Sequence, residues 1–161
     1  MASKDDEADF NELIPELRLW NEGKGIDIDS WLSCVGNYEH AAAYGRLFWP
    51  EFTIHEGCVL FSGFNEGSYQ GFMESTQGNK KSVEMVMNHL HILDLFQHIS
   101  EDPSKDLIVY LGRLLKDVWA CKVARDFPER QITVSFPEGE DYELLDYEIT
   151  LFQEHDVEEA G

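Results

Sequence analysis

Two stretches near the end of the chain alternate apolar and polar residues. Ile132, Val134 and Phe136 interleave with Gln131, Thr133 and Ser135; Leu145, Tyr147, Ile149 and Leu151 interleave with Asp146, Glu148 and Thr150. A period of two sends successive side chains to opposite faces of a strand, so the pair predicts an antiparallel hairpin with one buried face. Upstream the period changes. Leu107, Leu111, Leu114, Leu115, Val118 and Trp119 recur at helical spacing behind Asp102-Pro103-Ser104. A carboxylate cap at Asp102 with proline in the first turn predicts a helix reaching about Asp126, before Pro128.

The first half of the chain reads as helices around a small β element. Asp9 is positioned to cap a helix to about Trp20, with Pro15 as a local irregularity, and Asp29 or Ser30 to cap a second containing Trp31, Leu32 and Val35. From Asn37 to Trp49 a helical wheel places His40, Ala41, Ala42, Tyr44, Gly45, Leu47, Phe48 and Trp49 in one broad arc. A helix apolar around most of its circumference is expected to be buried on more than one side, which predicts that this is the central helix, ended by Pro50. Phe52–Ile54 and Cys58–Phe61 then read as one irregular strand or a tight hairpin. A short helix carrying Tyr69, Phe72 and Met73 follows, then one from Lys80 or Ser82 with Val83, Val86, Met87 and Leu90, and a strand from about His91. Together these predict one α+β domain over 9–154, about five helices on a small, mainly antiparallel sheet that ends in the C-terminal hairpin.

Charge changes the picture of the surface. The 161 residues carry 32 acidic and 12 basic side chains, a formal net charge of −20. From Pro137 onward the chain holds Glu138, Glu140, Asp141, Glu143, Asp146, Glu148, Glu154, Asp156, Glu158 and Glu159 without one Lys or Arg. The arm 1–8, with Asp5, Asp6 and Glu7, and the tail 155–161 are expected to be disordered acidic segments. Lys105, Arg113, Lys116, Lys122, Arg125 and Arg130 collect instead in or beside the Leu107–Trp119 helix. Phosphate neutralisation needs a basic surface, so nucleic acid is excluded as an expected partner, and so is an anionic membrane. Apolar runs are too short to span a bilayer and the acidic N-terminus is unlike a signal peptide, which predicts a soluble, cytoplasmic protein. Cys34, Cys58 and Cys121 are odd in number and flanked by apolar residues, so they are expected to be reduced core thiols.

Motifs for chemistry are sparse. Gly63-x3-Gly67-x3-Gly71 lacks a following Gly-Lys-Ser/Thr and the dinucleotide-binding spacing, and reads as turn glycines; Gly-x-Ser-x-Gly is missing. No cofactor and no catalytic residue is expected. Histidines are the residual candidates: His89 and His91 share a face in a strand, and His40, His55 and His98 are available to join them around a transition metal. The alternative function is therefore a small enzyme or metal-binding protein with a histidine cluster.

The leading expectation is a different class: a module that binds a basic protein, as an inhibitor or immunity-like partner does. Four Trp, ten Phe and six Tyr among so many carboxylates suit interface anchoring. Two surfaces follow: Trp49 with Phe52, and the hairpin face carrying Glu148, Thr150, Phe152 and Glu154.

Overall fold

The organising element is a long helix that the leucine pattern locates correctly. A computed structural model of the chain describes residues 8–96, 103–139 and 141–155. In it, helix α7 runs Lys105–Asp126, capped by the Ser104 hydroxyl, which accepts from Leu107 N at 3.2 Å; the cap expected at Asp102 lies outside the described residues. Ile108, Gly112, Leu115, Trp119 and Val123 recur every three or four residues and are buried. They meet Ile149, Leu151, Val134 and Phe136 in the main core. α7, and not the Asn37–Trp49 segment, is the central helix.

Strand β4 (Ile132–Ser135) pairs antiparallel with β5 (Glu148–Gln153), Val134 opposite Leu151, as the alternation predicts. On the other side of β5 lies the two-residue β3 (Leu90–His91), with Leu90 opposite Ile149. The single buried face expected for the hairpin needs correction. Ile149, Thr150 and Leu151 are buried in succession, because α7 covers one face of β5 and helix α6 (Lys80–Met87) the other. Thr150 faces α6, its hydroxyl donating to Met85 O at 2.8 Å. A polar residue in an alternating strand marked a second packed layer rather than solvent.

The second sheet is the hairpin β1 (Phe52–His55) and β2 (Cys58–Phe61), with His55 opposite Cys58. Its two turn residues, Glu56 and Gly57, both have positive φ, 48° and 89°, the left-handed pair that a two-residue hairpin requires. Helix α5 (Glu66–Ser75) contains Gly67 and Gly71, so those two are helical rather than turn glycines. Tyr69, Val83, Cys58 and Leu60 form a smaller core between α5, α6 and β2.

The N-terminal quarter is less regular. Asp9 caps α1 (Phe10–Leu13) by accepting from Asn11 N, and Pro15 breaks the expected helix into a 3₁₀ segment, Pro15–Leu19. A turn, α2 (Trp20–Gly23), follows with Asn21 and Glu22 left-handed. Helix α3 (Ile28–Val35) is capped by Asp27, whose carboxylate accepts from Ser30 N at 2.9 Å, two residues earlier than expected. Asn37 caps α4 (Tyr38–Phe48). Among the described residues, seven α-helical segments and two small antiparallel sheets thus make one α+β fold, and no helix there is long and apolar enough to cross a membrane. Apart from Ala8 and His155, the acidic arm and tail lie outside the described residues.

Candidate functional site

The correction at α4 creates the most conspicuous surface of the molecule. Residues 38–46 are all exposed, Tyr38 at 93 %, and α4 reaches the core only through Leu47 and Phe48. Trp119 Nε1 fixes that end by donating to Leu47 O at 3.0 Å. The apolar arc of the wheel is real, but nothing among the described residues covers it. Together with α3, the 3₁₀ turn Ile92–Leu95 and α7, it walls a cleft of about 780 Å³ lined by Trp31, Leu32, Tyr44, Phe48, Phe96 and Leu111 among others. Leu32 is 59 % exposed, and Val35, Tyr44 and Phe96 are also exposed. Trp31 Nε1 is shielded from solvent and finds no acceptor among the described residues. Such an N–H normally has a partner when buried.

No Lys or Arg occurs between Asp27 and Gly45, whereas Asp27, Asp29 and Glu39 lie there, all exposed, with Asp94 exposed beside Leu95 on the facing turn. The cleft is therefore lined without Asp, Glu, Lys or Arg, and these carboxylates stand on the elements that wall it, with Arg46 the first basic side chain after them on α4. The backbone N–H of Ser30 holds the Asp27 carboxyl below its ordinary value.

The hairpin and Trp49 candidates are divided by the structure. Phe52 is a core residue stacked on Phe61 at 5.0 Å and set edge-on to Trp119, and Thr150 is buried under α6; neither can meet a partner as folded. Trp49 is exposed, but Lys122 Nζ lies 5.5 Å and the Arg125 guanidinium 6.0 Å from its ring. Phe152 is half-covered, with Lys81 Nζ 4.7 Å from its ring, and Lys81 also pairs with Glu154 at 2.5 Å. Glu148 is exposed and lies 3.7 Å from His91. The basic helix meets the acidic loop: Lys116 pairs with Glu138, holding that carboxyl low, and Lys105 donates to Tyr142 O.

The histidines do not gather as a cluster. The His89 and His91 rings lie 5.4 Å apart, centroid to centroid, each ring bonded through Nδ1 to a backbone carbonyl, of Val86 and Leu145 respectively. His40 stands on α4 beside Tyr44, and His55 is wedged between Phe64 and Tyr69 at 4.9 and 4.6 Å. Glu66 Oε1 is 3.3 Å from His55 Nε2 but out of line for a hydrogen bond. His98 lies outside the described residues. Among those described, no three of these histidines come within reach of one ion.

A polar cluster that the periodicity did not reveal lies between the two sheets. Glu84 on α6 is fully buried; its Oε1 accepts from Val59 N at 2.7 Å and Gln153 Nε2 at 2.5 Å, and its Oε2 accepts from Gln153 N at 2.7 Å. His155 Nε2 stands 2.9 Å from the same Oε2. One helical turn on, Asn88 accepts from Phe61 N and donates to Val59 O and Leu151 O. Val59 and Phe61 turn these groups away from β1, and β3 ends before reaching Leu151 and Gln153. The two side chains at i and i+4 therefore fill the gap between β2 and β5 that no strand occupies. Arg130 closes the outside by donating to Gly57 O and Gln153 Oε1. Cys58 abuts this network. Burial first, and the Glu84 charge second, push its thiol above the ordinary value; burial likewise pushes up the Tyr69 hydroxyl, which donates to Glu56 at 3.1 Å. The signal available in sequence was Glu84 itself, a carboxylate between Val83 and Val86 on the apolar side of a short helix.

No protein-family model, curated protein or solved structure matches this chain.

Proposed function

We propose that this protein is an acidic protein-binding module that receives a basic, amphipathic helix of another protein in the cleft between α3 and α4. The observation that carries the reading is an apolar helix without a cover among the described residues: α4 has a core-like composition and surface-like exposure. Large contiguous apolar exposure marks interaction surfaces. A small ligand seated in the cleft would leave Tyr38 and the outer side of Leu32 in water, so the occupant is of protein size. The carboxylates carried on α3 and α4 and the −20 total favour a basic one. A helix that presents apolar anchors every three or four residues and lysines beside them fits both properties. The binding surface thereby moves from the C-terminal hairpin to the opposite half of the sequence, while the partner class stays the same.

The test is fluorescence polarisation of a labelled synthetic helix built from Leu and Lys at helical spacing, against the wild type and against Leu32→Asp and Tyr44→Asp, both at exposed positions. Binding should weaken with salt and fall at least about tenfold in each variant, the effect of losing about 1.4 kcal/mol. A peptide held only by bulk charge would bind the variants equally well, and would refute the reading. So would self-association of the wild type that Leu32→Asp abolishes, because the cover would then be a second copy.

A further inference from the structure

The second buried feature points to chemistry that the cleft does not involve. Cys58 opens β2, Glu84 sits mid-helix on α6, and His155 follows β5; the cleft is lined by none of them. One donor atom from each lies within 4.8 Å of the other two. Thiolate, carboxylate and imidazole together are a donor set suited to zinc and to its spectroscopic substitute cobalt. We propose that Cys58, Glu84 and His155 form a binding site for a divalent transition metal of zinc type.

Bonds of about 2.0–2.3 Å to a tetrahedral ion put its ligand atoms about 3.3–3.6 Å apart. The Glu84–His155 pair, at 2.9 Å, must open slightly, and the three donor atoms, which lie within 4.8 Å of one another, must settle to that spacing. The movement falls on the right residue. Cys58 and Glu84 have no exposed surface, whereas the His155 side chain keeps 23 % of its surface. It also supplies the route in from solvent.

The carboxylate is held as metal-bound carboxylates are, by an outer layer of hydrogen bonds: Val59 N and Gln153 Nε2 on one oxygen, Gln153 N on the other, with Arg130 orienting Gln153. A fully buried carboxylate is costly without a positive partner; His155 faces it at 2.9 Å, and a divalent ion held between the two would supply that charge. Binding replaces the Cys58 S–H bond by a sulfur–metal bond and the His155 Nε2–H bond, which faces Glu84 at 2.9 Å, by a nitrogen–metal bond; the thiol proton leaves to solvent, and the Nε2 proton leaves to solvent or, in a neutral ring, is exchanged through solvent for one on Nδ1. Three protein ligands leave the fourth position for water or a small ligand, the arrangement of open zinc sites.

The experiment adds Co²⁺ to chelator-treated protein and follows the thiolate-to-cobalt charge-transfer band, with zinc content after dialysis measured by elemental analysis. The wild type should give the band and one zinc per chain, and zinc should raise its melting temperature. Cys58→Ser should abolish the band, and His155→Ala should weaken zinc by more than about 100-fold, beyond the loss typical of an outer-layer partner. Cys121→Ser, at an exposed thiol, should change neither. His155→Ala removes only a partly exposed side chain, so it decides the matter if Cys58→Ser does not fold. No band with folded wild type, or a band and zinc affinity that survive in His155→Ala, would overturn the proposal.

Discussion

Replacing Glu84 by glutamine isolates how much the bridge between the sheets contributes to stability. The side chain keeps its size and one acceptor oxygen but gains an NH₂. Both carboxylate oxygens face backbone donors, Val59 N on one side and Gln153 N on the other, each at 2.7 Å. Whichever way the amide lies, a donor meets a donor. One buried N–H is left unsatisfied, at about 1–3 kcal/mol, and the bonds on the other side lose their charge assistance. We expect a loss of about 2–4 kcal/mol, a large part of the roughly 5–15 kcal/mol that holds a domain together. With a urea dependence of about 2 kcal/mol per molar, the midpoint should fall by about 1–2 M. Unfolding is followed by tryptophan fluorescence in chelator, so that metal does not enter the comparison. Hydrogen exchange at the Val59 and Gln153 amides should accelerate more than at amides in the middle of α7. An unchanged midpoint, or acceleration spread evenly over the chain, would refute the account of Glu84 as the joint between β2 and β5.

Other outcomes follow from particular contacts. At Gly112, an added Cβ would fall 2.1 Å from the Phe136 ring, itself buried, so Gly112→Ala should destabilise by about 1–3 kcal/mol despite its gain in helix propensity; a higher melting temperature would show that the ring yields freely. Cys58 is buried with its thiol pushed up, while Cys34 and Cys121 are exposed; a colorimetric thiol reagent should titrate two groups quickly and the third only on unfolding. Because the folded Asp27 carboxyl is lowered, its capping contribution is present above the ordinary value of about 3.9 and is lost as pH falls through the lower folded value. Protection of the Ser30 amide should therefore persist to about pH 3.9 and fade below it in the wild type, but be weak at every pH in Asp27→Ala.

The parts of the fold legible in the sequence are those with a strict period and a single competing explanation. The leucine series of α7 and the alternation of β4 and β5 are of this kind. The wheel of α4 failed differently: it reports correctly which sides of a helix are apolar, but not whether the protein itself covers them. Thr150 misled for the mirror reason, since a polar residue in an alternating strand looks solvent-facing unless a hydroxyl acceptor such as Met85 O lies above it. Phe52 and Trp49 are close neighbours in the chain with opposite fates, because β1 turns inward just after Pro50. Cys58, Glu84 and His155 lie far apart in sequence, and no local spacing relates them; only the packing of α6 over both sheets brings them together.

The pair Glu84 and Asn88 has one more effect. Strand edges with free N–H and C=O groups invite pairing with other chains, a route to aggregation. On the outer side of β2 those groups are already taken by two side chains of α6, so this edge is closed without a covering strand. A chain seeking to add a strand at β2 would first have to displace the helix. The lock on that edge is thus as strong as the docking of α6, and conditions that loosen α6 would be the first to expose the protein to self-assembly.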